Sequence, residues 1–258
     1  MLRIMRRTLL SLALIAYLSF GVAADIGLSP PRVELTGAPG ERVTTTVTVL
    51  TMSNASQQVA TEVGDWTMSM GGDLTFFPGG TLATSSAPWI DVDAGDFELA
   101  PNGGREVRLD VAIPEDASGT YHAMVFFTVV PPPSESAGVG VITTSRVAFT
   151  VYVTAAGTEV DGAELVDLYR SGPGTLTAVV VNTGNTLMRV SGAIELRDEG
   201  GEVRHRIPVR TSAVLRESER ELTFTLPDDV EDGFYVALAL LEDSRGGVLA
   251  GELPFDVP

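Results

Sequence analysis

The chain has 258 residues with 44% hydrophobic side chains, enough to build one or two packed domains. Its 17 basic residues, all arginine, face 34 acidic ones, and this balance repels nucleic acid and anionic lipid. It has no cysteine, which excludes disulfides, thiolate metal sites and a lipid-modified N-terminal cysteine.

Residues 1–24 read as a cleavable signal peptide. Arg3, Arg6 and Arg7 form a basic start, residues 9–20 an apolar run, and Val22-Ala23-Ala24 a small-residue cleavage site. The run is short for a bilayer span, so the mature chain is expected to start at Asp25 with no stable membrane insertion. Without the three leader arginines its formal charge is 14 − 34 = −20. An exported, soluble, periplasmic protein is the expectation.

Residues 26–36, with paired prolines, suit an edge strand, because proline cannot donate to a ladder. Residues 42–50 alternate Val43, Val47 and Val49 against threonines, as a half-buried strand does. Residues 59–68 form a third strand carrying Trp66, expected to fill a sandwich core. Residues 71–86 are rich in Gly, Thr and Ser and read as an irregular connection.

The stretch 114–127, PEDASGTYHAMVFF, returns in altered form at 227–241, PDDVEDGFYVALALL. Gly119 and Gly233 are 114 residues apart, as are Tyr121 and Tyr235, a spacing that matches one immunoglobulin-like sandwich. The proline ends a strand, the glycine permits an unusual corner torsion, and the tyrosine starts a new alternation. Such a tyrosine suits a corner that returns its hydroxyl to the backbone. The repeat predicts an all-β chain of two tandem immunoglobulin-like sandwiches, residues 25–156 and 157–258.

A proline-rich loop at 131–138 leads into a long alternating strand over 139–153 with Val139, Val141, Val147, Phe149, Val151 and Val153 on one face. In the second half, 176–181, 187–196, 203–209, 220–226 and 248–257 read as strands.

Chemistry has few candidates. There is no G-x-S-x-G elbow, and the two histidines, His122 and His205, fall in different halves. Asp91, Asp93, Asp96 and Glu98 are dense, but Gly95 breaks the ligand order of a calcium loop; solvated turn carboxylates are the simpler reading, as for 228–232. No enzyme activity, metal or cofactor is expected.

Taken together, SPPRVEL at 29–35, LAPNGGREVRL at 99–109, the Tyr121 strand, the prolines at 131–133 and the long strand after them resemble the PapD-like periplasmic pilus-assembly chaperones. The resemblance implies two immunoglobulin-like domains and capture of an exported pilin-like or surface subunit by β-strand addition. It implies a donated edge at Val139, Val141 and Thr143, smaller side chains than such an edge usually supplies. It also implies a clamp of two basic residues for the partner's terminal carboxylate. Arg32 falls at the first position. Arg146 is the nearest candidate for the second, although the best register puts Ala148 there. The alternative readings are a surface arginine at 32, and a non-enzymatic structural or adhesion module of two sandwiches.

Overall fold

A computed structural model describes residues 26–131 and 144–258. The expected signal peptide lies outside the described residues, as do Val139, Val141 and Thr143. Among the described residues no helix is long and apolar enough to cross a membrane.

The chain is all β, in two sandwiches. The first contains β1 (Ile26–Ser29), β2 (Arg32–Gly37), β3 (Arg42–Thr51), β4 (Gln57–Met68), β5 (Leu74–Pro78), β6 (Ile90–Val92), β7 (Phe97–Leu99), β8 (Gly104–Ala112), β9 (Gly119–Val130) and β10 (Arg146–Ala155). One sheet runs β1-β3-β8-β6; the other runs β2-β10-β9-β4-β5, with β7 also on β4. Alternation puts Val47, Val49, Val107, Leu109, Val125, Phe127, Phe149 and Val151 into the space between them, all fully buried.

The expected first strand is split at Pro30-Pro31. β1 pairs with β3 in one sheet, whereas β2 crosses over and pairs in parallel with β10 in the other. Two residues without backbone N–H groups stand where no ladder needs a donor. The stretch expected to be irregular contains β5, paired with β4 from Trp66↔Phe76 to Met68↔Leu74. The long strand expected over 139–153 is β10, starting at Arg146.

The second sandwich holds β11 (Ala163–Gly172), β12 (Thr175–Asn182), β13 (Met188–Arg197), β14 (Val203–Val214), β15 (Glu219–Thr225), β16 (Gly233–Asp243) and β17 (Val248–Val257). Its sheets run β11-β12-β15 and β14-β13-β16-β17 around Leu176, Val180, Ile194, Leu196, Phe224 and Leu241.

Both repeated Gly-x-Tyr stretches open a strand, β9 at Gly119 and β16 at Gly233. Gly119 has φ 74°, and a Cβ there would overlap the backbone of Asn185 from the second sandwich. The corner glycine thus serves torsion and a close approach together. Tyr121 packs its ring 4.3 Å from that of Trp89, and Tyr235 lies 6.3 Å from Phe255.

Trp66 is buried, but not in the sandwich core. It lies on the opposite face of its sheet, with Met124, Phe126, Tyr152 and Leu215, the last from the second sandwich. The even-numbered positions of β4 point away from Val59 and Val63, and around Trp66 this outward face is covered by Leu215 of the other sandwich.

Candidate partner-binding edge

The face carrying Trp66 also carries Arg32, Arg146 and Ala148. On β10 the odd positions Phe149, Val151 and Val153 fill the core, so Arg146, Ala148, Thr150 and Tyr152 share the other face. On β2 the exposed positions are Arg32, Glu34 and Thr36, on that same face by register with Thr150, Tyr152 and Thr154. On β9 it is Thr120, His122, Met124 and Phe126.

The second sandwich is held against the first at several points. Met70 O, at the β4–β5 tip, accepts from the Glu221 backbone N–H at 2.9 Å and from Arg220 Nη1 at 3.0 Å. Ser118 O accepts from Arg216 Nη1 at 2.8 Å, and the Arg216 guanidinium stands 5.1 Å from the centre of the Tyr121 ring. Thr120 N–H donates to Asn185 O at 2.9 Å. Arg189, from the start of β13, is ion-paired with Glu34 on β2 and lies 5.8 Å from the centre of the Tyr152 ring.

The backbone of β10 is where the two sandwiches differ. Toward β9 it pairs along its whole length, Arg146↔Thr128 to Ala155↔Gly119. Toward β2 it pairs only from Thr150↔Arg32 onward. Ser145 O accepts from Val129 N–H, so the odd positions bond β9 and the even positions turn their backbone groups outward. The Thr150 N–H accordingly donates to Pro31 O at 3.3 Å. Among the described residues, the outward N–H and C=O groups of Arg146 and Ala148 face no strand. Such a row is a template for another chain.

Arg32 stands where that open row ends, with its side chain 61% exposed. Its Nε is 3.9 Å from Glu34 Oε1, an ion pair too long for a hydrogen bond. Arg146 is already engaged. Its Nη2 donates to Glu62 at 2.9 Å, and its guanidinium lies 3.9 Å above the Phe126 ring. It therefore leans across β9 toward β4, away from the β2 side. Four residues separate its register position from that of Arg32, about 13 Å along the strand. The two arginines share a face but not a point on it.

Arg189 is the residue that sequence reasoning missed. It meets Glu34 across 155 positions of sequence, and nothing in its local pattern marks it.

The other polar groups here have structural duties. Asp65, fully buried, accepts from Ser85 Oγ and from Leu82 N–H at 2.8 Å, fastening the loop after β5. His122 is hydrogen-bonded through Nε2 to Trp66 O at 2.9 Å, and burial holds its imidazole below the ordinary value of 6.5. Burial also raises the Tyr152 hydroxyl above its ordinary value, while nearby Arg189 opposes the shift. Elsewhere, Asp93 Oδ1 accepts from Arg108 N–H at 2.9 Å, and His205 Nδ1 lies 3.9 Å from Asp229.

No family model and no curated protein matches this chain. Solved structures do. It is similar to a chain from a chaperone–tip adhesin complex of CFA/I fimbriae biogenesis: 12% identity, 87% of this chain and 97% of that one, TM-score 0.49. It is similar to the YadV chaperone, at 13% identity over 90% of this chain and all of that one, TM-score 0.48. The E. coli chaperone DraB gives 16% identity over 90% and 95%, TM-score 0.45.

Proposed function

We propose that this chain is a periplasmic chaperone or assembly factor that holds another exported polypeptide by strand addition to the open edge of β10. The observation that carries this reading is the unpaired outward backbone of Arg146 and Ala148, ending at Arg32. A strand added there meets β2 at Thr150 and must stop. If it runs parallel to β10, its terminal carboxylate arrives beside the exposed guanidinium of Arg32, which suits a carboxylate bidentately. An antiparallel strand would bring its amino terminus to a cation. The geometry thus favours parallel addition of a chain's C-terminal strand, an exported pilin-like or surface subunit in this reading. The donated edge begins at Arg146 and extends in this proposal through Thr143, Val141 and Val139. The work is binding, not catalysis.

Ala148→Pro tests it. Proline there removes an outward N–H and none of the ladder bonds to β9. The expected result is a folded protein that no longer co-purifies with the subunit that the native chain carries from a periplasmic extract. Undiminished recovery of that subunit contradicts strand addition. It favours a structural or adhesion module that binds through other surfaces.

A further inference from the structure

The ion pairs around Arg32 describe a site larger than one cation. Glu34 lies between two guanidinium groups: Arg32 from its own strand, and Arg189 from the second sandwich. Two positive charges share one carboxylate, which leaves one uncompensated in a chain of net charge −17. Among the described residues Arg32 has no other ion-pair partner. Arg189 is only 20% exposed at its side chain and rests near the Tyr152 ring, so its position is fixed by packing from both sandwiches. Arg146 is neutralised by Glu62 and faces away.

We propose that the second cation of the carboxylate site is Arg189, not Arg146, and that Glu34 is an internal carboxylate occupying the site until a partner's carboxylate competes for it. The proposal rests on the strand-addition reading above and adds its specificity and its regulation. A planar guanidinium offers donors on two edges, so Arg189 can keep one contact to Glu34 while receiving a second oxygen. Because one cation comes from each sandwich, a bound carboxylate ties the two together. A partner without a carboxylate at this point leaves Glu34 in place and gains nothing from either arginine.

The test uses the full-length mature protein and three dye-labelled octapeptides alternating Val and Thr. The first ends in a free carboxylate, the second in an amide, and the third in an amidated Glu. Anisotropy titrations give the ratio of affinities, which reports the clamp independently of how well the edge itself binds. The native protein should prefer the free acid over the plain amide about tenfold, in line with a charge-assisted contact. Glu34→Gln should raise that ratio further, Arg32→Gln and Arg189→Gln should each bring it close to one, and Arg189→Lys should keep part of it. Arg146→Gln should leave it unchanged. A preference for the amidated Glu form equal to that for the free acid assigns the site to side-chain carboxylates, and preference for the free acid alone assigns it to termini.

Retention of the full ratio in Arg189→Gln, or its loss in Arg146→Gln, overturns the assignment of Arg189 while leaving strand addition intact. A native ratio of one overturns the whole carboxylate site but not the edge. Absence of binding by all three peptides removes the strand-addition reading, and this proposal with it.

Discussion

The strands that follow the two repeated corners, β10 and β17, show how one plan yields an open edge and a closed one. Each pairs antiparallel with the corner strand before it, β9 or β16, and each offers its other side outward. On β17 that side is blunted. Asp243 N–H donates to Gly247 O, so even positions face outward, and Pro254 is among them with no N–H to offer. Asp256 O accepts from Arg170 Nη1 at 2.8 Å, and Glu252 adds a charge to the same row. On β10 the outward row contains Arg146 and Ala148, with no proline and, among the described residues, no covering strand. β2 covers only the second half. This contrast, an edge blunted in one sandwich and open in the other, is the observation on which the proposed strand addition rests.

The largest expected effect removes the packing that holds the edge-bearing face against the second sandwich. Trp66→Ala should destabilise the protein by about 3–5 kcal/mol, read as a shift of the urea midpoint, because a large buried ring leaves a cavity shared with Leu215. Trp66→Phe should cost much less, since the indole N–H has no hydrogen-bond partner among the described residues.

Second is pH. Burial depresses His122, against the hydrogen bond to Trp66 O and nearby Asp65, with Arg216 adding to the depression. The unfolded chain therefore binds this proton more readily than the folded one. The stability it contributes is fully present above about pH 6.5, the unfolded value, and is lost as pH falls through the lower folded value. Melting temperatures between pH 8 and 5 should fall toward acid, and more weakly in His122→Gln. Equal slopes for the two proteins would remove His122 from the account.

Third, Pro254→Val restores an outward donor on β17. Sedimentation should detect new self-association at high concentration if that proline guards the edge. Sedimentation unchanged from the native protein leaves Arg170 as the sufficient guard. Smallest, Glu62→Gln removes the ion pair of Arg146, both partners being substantially exposed. Stability should change by less than about 1 kcal/mol, since exposed pairs contribute little.

Much of this architecture was legible in the sequence. Alternation in residues 42–50 and 139–153 pointed to strands, of which β3 and β10 (from Arg146) are found because one face of each is core, and the duplicated Gly-x-Tyr corner pointed to two sandwiches. Trp66 was assigned to the wrong side of its sheet. Periodicity reports which residues share a face but not whether a second sandwich covers it. β5 escaped notice because Leu74, Thr75, Phe76 and Phe77 do not alternate, and much of that edge strand is exposed. Arg32 was singled out by its neighbours in sequence. Arg189 could be found only in three dimensions, since Glu34, its partner, lies in the other sandwich.

The central claim, that β10 receives a strand, is tested most directly by amide hydrogen exchange on the complex recovered from the periplasm. The N–H groups of Arg146 and Ala148 should exchange rapidly in the free protein and become protected when the partner is bound, while those of β17 stay unchanged. Protection confined to the second sandwich, with Arg146 and Ala148 still exchanging freely in the complex, would contradict it.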